Sequence, residues 1–75
     1  MYELLVGILV EELELNAGDV RPDSSCEDVG LDSLAMVELS MILQKRHHLQ
    51  ISDDELLKTK RVSEIVRIME ARAGS

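Results

Sequence analysis

A chain of 75 residues has room for one domain, and a core of that size stabilises only marginally unless disulfides, a metal or very regular helix packing assist it. Its single cysteine, Cys26, excludes an intramolecular disulfide, and its 45% hydrophobic content is mostly Leu, Val, Ile and Met, with Tyr2 the one aromatic residue. The net charge of −7 is lopsided: residues 1–37 hold nine carboxylates against Arg21, a net of −8, whereas residues 38–75 hold seven Lys or Arg against six carboxylates, a net of +1.

Such a chain lacks the clustered basic surface that phosphate contacts need, so nucleic-acid binding is disfavoured and a basic protein partner fits better. No apolar run is long enough to span a bilayer and no signal-peptide pattern precedes the first polar residues. The expectation is one cytoplasmic, monomeric, all-α domain over residues 1–75, without a membrane segment.

In chain order, Leu5, Ile8, Leu9 and Leu13 recur at helical spacing, and residues 2–15 read as an amphipathic first helix. Asn16 and Gly18 offer a stop. Residues 16–32 carry the only proline and two of the four glycines without sustained periodicity, and read as a long loop with room for a short helical turn. A loop of that length in a compact domain is more often functional than incidental. Cys26 falls within it and reads as a free thiol without a role.

Residues 33–47 read as a second helix with an unusually broad apolar surface. Leu34, Val37 and Met41 form a stripe that assigns Met41 to the core, while Met36 divides evenly between core and a partner-facing position. Ser52-Asp53-Asp54-Glu55 fits a capping box and predicts a short helix over about 53–57. Val62, Ile65, Val66 and Met69 predict a last helix over 61–72, followed by Gly74 and Ser75. The pattern is a small four-helix bundle, three main helices and a short one, with no credible strand.

Chemistry centres on Ser33, in the run Asp28-Val29-Gly30-Leu31-Asp32-Ser33-Leu34 at the loop-to-helix junction. A serine hydrolase needs a base within hydrogen-bond reach, but His47 and His48 lie roughly 21 Å away along a continuous helix at ~1.5 Å per residue. The run also lacks the Gly-x-Ser-x-Gly order of a nucleophile elbow, so no catalytic residue is assigned. No metal site is expected either: adjacent histidines point to different sides of a helix, and the acids at 19–32 lack the order of a calcium loop. Two roles stay open on local physics. Ser33 caps the helix, which is the commoner role, or it carries a covalent group, for which a helix N-terminus suits a phosphate. If it only caps, the chain is a helical interaction module.

Gly30-Leu31-Asp32-Ser33-Leu34 followed by Val37-Glu38-Leu39 resembles the attachment motif of acyl carrier proteins. The likeness extends to the first helix, the long loop, Ile51 before the acidic short helix, and Val62-x-x-Ile65 opening the last. The resemblance implies that a phosphopantetheinyl transferase attaches 4′-phosphopantetheine from coenzyme A to Ser33, and that the arm holds an acyl group as a thioester while other enzymes act on it. It also implies that Asp32, Leu34 and Glu38 serve partner recognition, and the broad apolar surface of the second helix adds Met36 as a candidate partner contact.

The likeness has two gaps. Carriers of fatty acid synthesis have an acidic second helix, whereas this one reads Gln44-Lys45-Arg46-His47-His48 after its one acid, Glu38, and His47 stands where an aromatic is usual. The departure implies a specialised polyketide or lipopeptide pathway, loaded by an acyl ligase or adenylating enzyme and served by synthase or condensation enzymes. Peptidyl carriers share the fold, but their Gly-Gly-His-Ser or Gly-Gly-Asp-Ser differs from Gly30-Leu31-Asp32-Ser33. Met1 and the short tail suggest a free-standing protein. If buried, His47 would make the end of the second helix sensitive to pH.

Overall fold

The computed structural model describes residues 1–73; Gly74 and Ser75 lie outside the described residues. Four α-helices follow in order, α1 (Tyr2–Glu11), α2 (Ser33–His47), α3 (Asp53–Leu57) and α4 (Val62–Ala73), with a 3-10 turn at Ala17–Asp19. Among the described residues there is no strand, only an isolated bridge between Ser25 and Arg61. The fold is all-α. Helix α3 packs on α2, α1 reaches α4, and the interior is aliphatic: Leu5, Leu9, Leu39, Leu43, Ile51 and Leu56 are fully buried.

The two middle helices begin where their caps dictate. Asp32 Oδ1 accepts the Ala35 N–H at 2.8 Å, which fixes Ser33 as the first residue of α2. At the other end His48 takes a left-handed conformation, φ 55°, and Lys45, Arg46 and His47 occupy the last turn, where cations oppose the helix dipole. Helix α3 is held by the capping box: Ser52 Oγ accepts the Glu55 N–H at 3.3 Å and Glu55 Oε2 accepts the Ser52 N–H at 3.0 Å. Arg72 of α4 pairs with the same Glu55 and donates to the Gln50 carbonyl, so the short helix is tied to the end of the last one.

Two expectations from the sequence are corrected. Helix α1 ends at Glu11, not at 15, because the amides of Leu13 and Leu15 fold back onto the carbonyls of Ile8 and Leu9 at 3.2 and 2.9 Å and Glu14 turns left-handed. Met41 is 49% exposed and Leu34 67%, whereas Met36 is only 3% exposed. The buried face of α2 is thus Met36, Leu39, Ser40 and Leu43, not the 34–37–41 stripe. Ser40 hides that face in the sequence by placing a hydroxyl on it. The hydroxyl is satisfied, donating to the Ile51 carbonyl at 2.8 Å, and Gln44 Nε2 donates to the same carbonyl at 2.8 Å.

Residues 16–32 form the expected long loop, with Ala17–Asp19 as its short helical turn. This loop carries four core residues, Val20, Cys26, Val29 and Leu31, and is stitched to the α3–α4 connection. The Cys26 amide donates to the Lys60 carbonyl at 2.9 Å, those of Val62 and Ser63 donate to Ser24 and Pro22 at 3.0 and 2.9 Å, and Arg61 Nη1 donates to the Asp23 carbonyl at 2.7 Å. Cys26 is a free thiol but a core residue, 5% exposed, 3.7 Å from Thr59 Oγ1. Burial pushes its pKa up, with the Thr59 contact opposing. His47 is half-buried where α2 meets Leu4 and Gly7 of α1, outside the core.

Candidate functional site

The stitched loop delivers the chain to α2 through Gly30. Its φ of +91° lies in the region glycine favours, and a Cβ there would come within 3.3 Å of Leu15 Cδ2. The Leu31 amide then closes back onto the Cys26 carbonyl at 2.8 Å, burying Leu31 and leaving Asp32 and Ser33 at the surface.

Ser33 is not the cap. Asp32 accepts the Ala35 N–H through its carboxylate and the Met36 N–H through its carbonyl at 3.0 Å, so the capping bonds are already made. Ser33, one residue later, is exposed, and among the described residues its hydroxyl has no hydrogen-bond partner. A helix start favours anions through its free amides and dipole, and Asp32 already exploits that field with a carboxylate. A phosphodiester on Ser33 would sit in the same field.

Beside Ser33 opens a hollow of about 360 Å³ between the loop, the start of α2 and the α3–α4 connection. Leu31, Met36 and Leu57 give it apolar walls, and Ser25, Thr59, Lys60 and the carboxylates of Glu27 and Asp32 line it with polar groups. Mixed walls of this kind match a linear arm that carries both methyl and amide groups, and Lys60 is the one cation among the lining residues. The residues present therefore fit phosphopantetheine.

Of the residues expected to meet partners, Asp32, Leu34 and Glu38 are exposed. Met36 is not: it points into the fold and lines the hollow beside Ser33, so its partner-facing assignment is corrected. Sequence reasoning passed over Thr59 and Lys60, which the stitching of the loop brings alongside Ser33. His47 and His48 remain at the far end of α2, and among the described residues no three metal-ligating side chains converge.

The family model for the phosphopantetheine attachment site matches residues 3–69. The chain belongs to the acyl carrier protein family. It is 38% identical over 71 residues to an acyl carrier protein of Helicobacter hepaticus, with 93% of each chain covered. It is 39% identical over 71 residues to that of Wolinella succinogenes, again with 93% of each covered. Against that of Helicobacter pylori strain J99 the identity is 31%, over 93% of this chain and 91% of the relative. The protein is thus a carrier and not a catalyst, it bears a covalent 4′-phosphopantetheine, and a phosphopantetheinyl transferase and synthase enzymes act on it. No helix of the carrier, among the described residues, is long and apolar enough to cross a membrane.

Proposed function

We propose that Ser33 is the attachment residue and that the carrier, one domain over residues 1–75, presents an acyl thioester in a specialised polyketide or lipopeptide pathway of the cytoplasm. The observation that carries the assignment is the uncommitted Ser33 hydroxyl beside a cap already supplied by Asp32. Ser33 Oγ attacks the phosphorus of coenzyme A that bears the pantetheine, the pyrophosphate P–O bond to the adenosine half breaks with adenosine 3′,5′-bisphosphate leaving, and the serine proton goes to a base of the transferase, since the carrier has no histidine within reach. The arm supplies a thiol that holds the acyl group as a thioester. Asp32 holds the first turn of α2 in register so that Oγ is displayed at a fixed point, and Leu34 and Glu38 offer an apolar and an acidic contact along the same helix. A loading ligase or adenylating enzyme and a condensing synthase are the remaining partners.

Intact-protein mass spectrometry after incubation with coenzyme A, magnesium and a promiscuous transferase tests the assignment. One phosphopantetheine on the wild type and none on Ser33→Ala is expected; an unmodified wild type contradicts it. The basic run Gln44-Lys45-Arg46-His47, in place of an acidic one, supports the specialised pathway. A fatty acid synthase ketosynthase that used the loaded carrier as efficiently as its own would contradict that part.

A further inference from the structure

Helix α1 carries a stripe that its own fold does not need. Glu3, Gly7 and Glu11 follow one another at intervals of four residues and so share one face. Glycine is a poor helix former, and the usual reasons for one are missing at Gly7: its φ is not positive, and a Cβ there would meet nothing within 4 Å. Glu11 stands in the last turn of α1, where the helix dipole disfavours a carboxylate and no basic residue offsets it. Glu12 beside it is neutralised by Arg46, whereas Glu3 and Glu11 are exposed and have no ion-pair partner among the described residues. Gly7 and Glu11 thus weaken α1 without a compensating contact inside the chain.

What Gly7 leaves is room. A groove of about 300 Å³ opens there between α1 and α2, floored by Leu4, Ile8 and Ile42 and edged by Glu3 and Glu11. Its α2 wall, from Ile42 to His47, lies ~14–21 Å from Ser33 along the helix at ~1.5 Å per residue. The open charge at its edge is acidic, so a second copy of the chain laid α1 to α1 would set carboxylate against carboxylate. We propose that this groove docks a basic helix of another protein, which rests one apolar side chain over Gly7 and sets a lysine or arginine against each of Glu3 and Glu11. Docked there, the partner holds the carrier by the end away from Ser33, and a second enzyme can work on Ser33 at the same time. The docking needs no phosphopantetheine and is independent of the Ser33 assignment.

Synthetic helical peptides titrated onto the isotope-labelled, phosphopantetheine-bearing protein test it. The first has a leucine with a lysine one helical turn before it and another one turn after it, the second replaces both lysines with glutamate, and the third replaces the leucine with serine. The first should bind about fivefold or more tightly than either other and shift the amides of Glu3, Gly7 and Glu11. Glu3→Gln and Glu11→Gln should each weaken it about two- to fivefold, the range that an exposed ion pair provides. Gly7→Ala separates docking from folding. It should raise the melting temperature by about 2–8 °C, as a better helix former in a domain of this size, yet weaken the first peptide about fivefold or more, because the added methyl overfills the contact. Loading of the apo-protein by the transferase should run at the same rate with and without that peptide.

Equal affinities for the lysine and glutamate peptides, a Gly7→Ala variant that melts lower or binds as well as the wild type, shifts confined to α2, or a peptide that blocks loading would overturn the proposal. So would concentration-dependent shifts of the α1 amides without any peptide, which would assign the groove to a second copy of the chain. If the wild type takes up no phosphopantetheine while the first peptide still docks on the unmodified protein, it is the Ser33 assignment that fails and the docking site that stands.

Discussion

Two serines stand at helix starts in this molecule, and they are in opposite states. Ser52 is fully engaged: its hydroxyl accepts the Glu55 N–H and its own amide donates to the Glu55 carboxylate. Ser33 is idle, because the residue before it, Asp32, makes the equivalent bond at 2.8 Å. Availability of a serine hydroxyl is thus decided by which neighbour caps the helix. A shift of the helix start by one residue would make Ser33 the cap and withdraw it from modification.

The largest effect that could break this contrast is chemical. Ser33→Ala should abolish loading while changing stability by no more than about 0.5 kcal/mol, as for an exposed residue without partners, and Ser52→Ala should do the reverse. For Ser52→Ala, chemical denaturation should show a loss of about 0.5–2 kcal/mol with loading intact. Asp32→Ala should show a similar loss, and its loading rate should fall as well, because the turn that displays Ser33 loses its anchor.

A smaller effect separates the two helix starts by pH. Glu55 is held down to about 2, first by its bond to Arg72 and then by the Ser52 amide. Its folded-state value lies below the ordinary 4.5, so the stabilisation is present above that value and fades as the pH falls towards about 2. The difference in melting temperature between wild type and Glu55→Gln should therefore be constant near neutrality and shrink through that window. A difference independent of pH would remove Glu55 from the account.

The smallest effect concerns the thiols. Buried Cys26, its pKa raised, should resist alkylation in the native apo-protein, and loading should add one fast-reacting thiol, that of the arm. Rapid labelling of the apo-protein would show that the stitched loop opens readily.

What the sequence revealed follows the same division. The extents of α2 and α3 were legible in the sequence, α3 through the Ser52–Glu55 box, but the cap of α2 was read as Ser33 and is Asp32. The position of the cap between Asp32 and Ser33 was not legible, since both residue types cap well and only the backbone register chooses. The end of α1 depends on amides closing onto the Ile8 and Leu9 carbonyls, and the docking of the loop depends on the backbone of residues 22–26 and 60–63, none of which leaves a mark on residue type. Met36 and Met41 exchanged places because both occupy plausible stripes and a buried serine, Ser40, disguised the true one.

The contrast between the serines stands or falls on one measurement: the intact mass of Ser33→Ala and wild type after identical treatment with coenzyme A and a promiscuous transferase, taken on protein whose melting temperature has been matched. The account predicts one phosphopantetheine on the wild type and an unchanged mass for the folded variant. A loaded Ser33→Ala, or a wild type that gains nothing, would contradict it.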